Sequence, residues 1–117
     1  MAYVDGYVLA VRKDRLDDYK AMATQGAAIW KEYGALAYVE CVADDVPYGE
    51  LTSFPRAVQA TDEETVIFAY IVYESREQRD EINAKVMVDP RMHMELGDMP
   101  FDGKRMIVGG FTPIVTA

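Results

Sequence analysis

The sequence predicts an α+β domain of the ferredoxin-like kind, β-α-β-β-α-β, with a four-stranded antiparallel sheet. Three observations carry that reading. Aromatic and β-branched runs near residues 3–12, 35–43, 65–74 and 105–115 have strand composition. Two segments with apolar residues three and four apart follow the first and third runs. Glycine, proline and aspartate clusters punctuate the joins. At 117 residues, the chain has the length of one domain with one core.

"YVDGYVLAVR" opens the fold as a strand. Asp14 then suits a helix N-cap, with Asp17 and Asp18 in the first turn where the helix dipole favours acids. Leu16, Tyr19, Ala23, Gly26, Ala27, Trp30 and Tyr33 make one apolar stripe, and Gly34 stops the helix. "ALAYVECVA" is the second strand. Residues 46–64 contain Pro47, Gly49 and Pro55 and read as a connection, within which "SFPRAVQA" has the character of an edge strand. "TVIFAYIVYE" is the clearest strand. Ser75 with Gln78 forms a capping box for a second helix that turns Ile82 and Val86 inward. Asp89–Pro90 ends it and starts one further turn, "PRMHMEL", closed by Gly97. "FDGK" is a turn, and "RMIVGGFTPIV" is the last strand.

Both faces of this sheet are apolar, although a sheet with helices on one side usually presents polar residues on the other. By alternation, Val4, Gly6, Val8 and Ala10 share one face of the first strand, and Tyr3, Asp5, Tyr7 and Leu9 share the other. In the third strand, Ile67, Ala69, Ile71 and Tyr73 oppose Val66, Phe68, Tyr70 and Val72. The smaller, mainly aliphatic sets suit close helix packing, which assigns the aromatic sets to the far side. A monomer rarely leaves such a patch bare, so two copies are expected to pair through it as a homodimeric α+β barrel. The alternative cover is the segment 46–64 folding over the face.

Glu40 adjoins the only cysteine, Cys41. Successive strand residues point to opposite faces, so the two cannot form one catalytic unit. On the expected register Cys41 faces the helices as a small buried hydrophobe, and Glu40 faces the dimer side. There it shares a face with Asp5, Tyr7, Tyr38 and Tyr70, and these five residues with Arg105 make the candidate pocket. A carboxylate among aromatic rings must be paired, protonated or solvated. The structural reading pairs it with a basic residue, Arg105, Lys104 or Arg56. The functional reading makes it a proton-handling group in a tyrosine-lined cavity. Trp30 reads as core, and His93 as an exposed loop residue.

A formal charge of −8 repels phosphate, so neither nucleic acid nor an anionic membrane is an expected partner. No zinc-ligand spacing, dinucleotide loop, phosphate loop or Ser-His-Asp arrangement is present, and neither metal nor cofactor is expected. One cysteine, no signal-peptide pattern and no long apolar run fit a soluble cytoplasmic protein.

At "YVDGYV", "GALAYVECVADDVPYG", "YIVYESREQRDEINAKVMVDPRM" and "MPFDGKRMIVGGF" the chain resembles the YbaA-like family of bacterial proteins of unknown function, nearly end to end. It departs at Val108 and Tyr70, where aromatic residues and tryptophan are usual in the family. The resemblance implies a dimeric α+β barrel and transfers no catalytic residue. The wider barrel superfamily holds cofactor-free monooxygenases, haem-degrading enzymes and plain ligand binders, and fold does not fix function. Two classes stay open: a cofactor-independent enzyme or binder acting on a small organic molecule, and a non-catalytic structural or interaction dimer.

Overall fold

A computed structural model of the chain describes residues 2–92 and 99–117; of the turn expected from Pro90 to Gly97, Pro90–Met92 forms a 3-10 turn, and the rest, His93 included, lies outside the described residues. Strand β1 (Tyr3–Arg12) leads through a 3-10 turn into helix α1 (Leu16–Glu32) and strand β2 (Ala37–Val42). A short helix α2 (Phe54–Ala57) precedes strand β3 (Glu64–Tyr73) and helix α3 (Arg76–Met87). Strand β4 (Ile107–Phe111) closes the antiparallel sheet, whose order is β2-β3-β1-β4. This is the ferredoxin-like arrangement read from the sequence. No helix among the described residues is long and apolar enough to cross a membrane.

Local chemistry sets most boundaries as expected. The Ser75 hydroxyl accepts from the Gln78 amide at 3.1 Å, and the Gln78 side chain accepts from the Glu74 amide at 2.7 Å. Gly34, at φ +117°, turns the chain out of α1 in a conformation that favours glycine. Two expectations fail. Asp14 does not cap α1; it lies in the 3-10 turn, bound to Arg12 at 2.9 Å, and α1 starts without a side-chain cap. The segment "SFPRAVQA" is not a strand, because the Ser53 hydroxyl accepts from the Arg56 amide and Pro55 sits in the first helical turn.

Strand register decides the faces. Tyr7 stands opposite Ala69, Asp5 opposite Ile71, and Leu9 opposite Ile67. Tyr38 pairs with Ile71 and Glu40 with Ala69. Cross-strand partners share a face, so Tyr3, Asp5, Tyr7 and Leu9 lie with Tyr38, Glu40, Ile67, Ala69, Ile71 and Tyr73. That face meets the helices, burying Leu9, Val11, Ile67, Ala69, Ile71 and Tyr73 against Tyr19 and Ile29 of α1 and Ile82 and Val86 of α3. The assignment of β3 holds, whereas β1 and β2 are turned over. Cys41 is accordingly exposed on the open face, and Glu40 looks towards α1.

The inversion has a steric reason. The β1 tyrosines reach across neighbours that leave room for them. Tyr3 lies over Gly110, where an added Cβ would meet its ring carbons at 2.7–2.8 Å, and its hydroxyl accepts from Arg79 of α3 at 3.1 Å. The open face carries Val4, Val8, Val39, Cys41, Phe68, Tyr70 and Val72. Phe111 spans Gly6 and Gly109 there, its ring 3.5–3.6 Å from where their Cβ atoms would be. One end of this face is covered by the segment 46–64. Val58 packs with Ala10 and Val66 as a separate buried cluster, and Phe54 meets the Phe68 ring edge to face at 6.0 Å. Phe68, Ile107 and Phe111 stay exposed at 44, 45 and 62 %.

Candidate functional site

Between α1 and the sheet lies a cavity of about 350 Å³. Its floor is Tyr7, Leu9, Tyr38, Glu40, Ala69 and Ile71, and its roof is the α1 stripe from Tyr19 to Trp30. Met92, Met99, Phe101 and Met106 close the far side. Small residues keep this space open. A Cβ on Gly26 would lie 3.3 Å from the Tyr38 hydroxyl and 3.7 Å from the Trp30 ring, and Ala23 and Ala69 face each other where larger residues would fill the gap.

Among the described residues, Glu40 is the one charged residue of the wall. One carboxylate oxygen accepts a short hydrogen bond from the Tyr19 hydroxyl, and the other accepts from Tyr38 at 2.7 Å. Two phenols on two elements, one on the strand and one on the helix, therefore fix the carboxylate in place. Both phenols titrate well above the usual tyrosine range, through burial first and then the bond to Glu40. Tyr7 is pushed up to about 12, mainly by burial and then by Asp5. All three hydroxyls thus keep their protons at neutral pH. No lysine or arginine forms an ion pair with Glu40 among the described residues. A second, outer hollow of about 510 Å³ opens on the solvent side of Glu40, Tyr19 and Tyr38, lined also by Asp17, Lys20 and Cys41. Tyr19, Ala23, Tyr38 and Glu40 line both spaces.

Of the six candidate residues, Tyr7, Tyr38 and Glu40 meet at this cavity. Asp5 shares their face but lies under α3, 1 % exposed, with Arg79 Nη1 at 3.5 Å. Tyr70 points to the open face, because it pairs with Gly6 and Val39. Arg105 does not approach Glu40; it binds Glu64 through both guanidinium ends at 2.9 and 2.7 Å. Lys104 donates its backbone amide to Asp102, and Arg56 is held by the carbonyls of Tyr48 and Gly49. Glu40 is thus bonded to tyrosines instead of the expected basic partner. Tyr19 and Trp30 were legible as an apolar helix stripe, but nothing in their spacing distinguishes a cavity wall from packed core. Among the described residues no group of three or more His, Cys, Asp or Glu converges to hold a metal ion.

The Arg105–Glu64 pair predicts a pH dependence. Glu64 titrates at about 2 instead of 4.5, first because Arg105 donates to it. A lowered folded-state value stabilises above the unfolded value and is lost as pH falls through the folded one. The stability difference between wild type and Arg105→Met should be full above about pH 5 and shrink towards pH 2. Urea midpoints across that range measure it; a constant difference would contradict the assignment.

An antiparallel β2-β3-β1-β4 sheet with helices on one face and a ligand-sized hollow beneath α1 defines a ferredoxin-like α+β protein. The chain belongs to the DUF1428 family of proteins of unknown function, whose model matches residues 2–103. It is 54 % identical over 116 residues to the uncharacterized protein YbaA of Escherichia coli strain K12, covering 98 % of each chain. Solved structures similar in fold include Rv0793 from Mycobacterium tuberculosis, with a TM-score of 0.61 at 15 % identity over 100 % of this chain and 99 % of that one. A NIPSNAP family protein from Agrobacterium tumefaciens gives 0.62 at 17 % identity, over 97 % and 93 % of the two chains.

Proposed function

We propose that this chain is a small-molecule protein that pairs through its open sheet face, each protomer holding a compact, largely apolar organic molecule in the cavity beneath α1. The observation that carries the reading is Glu40, fixed by Tyr19 and Tyr38 on the wall of an otherwise apolar hollow. Ligand sites commonly combine an apolar lining with a few converging polar groups, and about 350 Å³ falls within their range. A carboxylate aimed into such a space without need would cost stability. The chemistry these side chains offer is proton transfer: Glu40 accepts a proton, and the two phenols donate hydrogen bonds to whichever oxygen carries the charge. Pairing is supported by Phe68, Ile107 and Phe111, three large apolar side chains exposed on the open face of the single chain. A cytoplasmic setting suits a chain with one unpaired cysteine.

A thermal-shift screen of small organic molecules tests the site, since a ligand that binds only the native state raises the melting temperature. Ala23→Phe should fill the cavity, leave a folded protein and abolish the shifts seen with wild type. Shifts that persist in Ala23→Phe would place binding elsewhere and overturn the cavity reading; a library with no stabilising molecule would favour a purely structural dimer.

A further inference from the structure

We infer that the ligand of this cavity is an organic ammonium ion with an apolar body; the inference rests on the small-molecule reading above and specifies its chemistry. Three features select charge and shape together. The first is charge. Among the described residues, Glu40 is the one carboxylate on the cavity wall, no arginine or lysine lines that wall, and the hydrogen bonds to Glu40 come from neutral hydroxyls. Two phenols orient a carboxylate without neutralising it. Glu40 is partly buried, and a partly desolvated charge without a counterion gains more from an entering cation than from a neutral guest. The carboxylate has lone pairs left after accepting two bonds, so an N–H donor fits beside the phenols.

The second feature is the rest of the wall. Tyr7, Tyr19, Trp30, Tyr38 and Phe101 bring five aromatic rings around one space. Tyr19 and Phe101 meet edge to face at 5.8 Å, and Trp30 and Tyr38 meet at 5.8 Å with a 48° tilt, so the rings enclose the space from several directions. Ring faces attract cations, most strongly when water is excluded. Thioethers of Met22, Met92, Met99 and Met106 complete a soft, polarizable lining that suits an alkyl or aryl body.

The third is the field of the whole chain. A formal charge of −8 draws cations in and repels carboxylates and phosphates. Lys20 lines the outer hollow beside Glu40 but forms no ion pair with it, so it does not cancel the carboxylate. An anion would meet Glu40 head on; a neutral alcohol would gain the apolar contacts and one hydrogen bond to the carboxylate, without the ion pair.

Trp30 is the only tryptophan of the chain and lines the cavity, so its fluorescence reports occupancy of this site. Three probes of matched size separate the possibilities: 2-phenylethylammonium, 2-phenylethanol and phenylacetate. The ammonium ion should bind at least about tenfold more tightly than the alcohol, and phenylacetate should give no saturable change. Glu40→Gln, nearly isosteric, should remove the ammonium ion's advantage and bring it and the alcohol to similar affinities. Ala23→Phe should abolish both, and the wild-type preference should survive a rise in salt that suppresses surface adsorption.

Equal affinities in wild type, or a cation preference that persists in Glu40→Gln or in Ala23→Phe, would overturn the ammonium assignment. Binding of the alcohol that Ala23→Phe abolishes would still support a small-molecule cavity, which keeps the two readings apart. A response to none of the three probes also overturns the ammonium assignment, and the wider library screen then decides the cavity by itself.

Discussion

Replacing Arg79 by methionine should destabilise the folded chain by about 3 kcal/mol, the largest loss expected from one surface-accessible side chain. Asp5 is 1 % exposed and its Oδ1 receives no hydrogen bond among the described residues. The one cation near it is the Arg79 guanidinium, with Nη1 at 3.5 Å from Oδ1, reaching down from α3 past the Tyr3 ring. Methionine retains the apolar stem and removes the charge, leaving a buried carboxylate without a cation beside it among the described residues. The Tyr3 hydroxyl also loses its 3.1 Å donor, which loosens the ring seated over Gly110. Asp5→Asn in the Arg79→Met background should return much of the loss, because the uncompensated charge is gone. Chemical denaturation of the two single variants and the double variant measures this coupling. Additive losses would show that Asp5 and Arg79 do not depend on each other.

The second large effect concerns assembly. Phe68→Asp should convert a dimer of twice the 13.2 kDa chain mass into monomers. Phe68 stands on the open face beside Tyr70, their rings 6.4 Å apart, and is 44 % exposed in the isolated chain. An obligate pairing of two such faces would bury about 2,000 Å² or more, and a carboxylate at its centre has no partner there. Cys41, on the same face, gives an independent readout: its thiol should react slowly in wild type and quickly in Phe68→Asp. Light scattering that finds wild type monomeric at micromolar concentration, or Phe68→Asp still dimeric, would remove the proposed pairing.

The order of strands and helices was legible because each rule involved is local. Alternation marks strands, three- and four-residue spacing marks helices, and Ser75 with Gln78 fixes a start. That Asp5 shares a face with Tyr7, and Tyr38 with Glu40, was legible too, since parity within a strand is fixed; parity between paired strands was not, and Tyr70 of β3 falls on the opposite face. Which face the helices cover was not. Both faces are apolar, and small aliphatic residues were expected beneath the helices for close packing. In the structure the tyrosines lie there instead, because α3 and strand β2 supply what their polar ends need. Arg79 donates to Tyr3, Asn83 accepts from Tyr73 at 3.3 Å, and Glu40 accepts from Tyr38. Helices held off by large rings leave the hollow that close aliphatic packing would have filled.

Glu40's true partners show the same limit. A charge-based search looks for a cation, and Arg105 was the nearest in the expected topology. Arg105 is taken by Glu64, brought alongside through a contact 41 residues apart in sequence. Tyr19 reaches Glu40 only because α1 crosses over the β2 edge of the sheet, a long-range packing event with no signature in the spacing of either residue. The connection 46–64 was read as loop with an edge strand, whereas Ser53 and Pro55 give it a helical turn that places Val58 against Ala10 and Val66.

The cavity beneath α1 is the feature on which the functional reading stands. A crystal structure of the protein with its most stabilising small molecule puts that feature to the test. The ligand should lie between α1 and the sheet, in contact with Trp30, with a polar atom about 3 Å from a Glu40 carboxylate oxygen. A ligand bound on the open sheet face or in the outer hollow, with the space around Glu40 and Trp30 unoccupied, would contradict it.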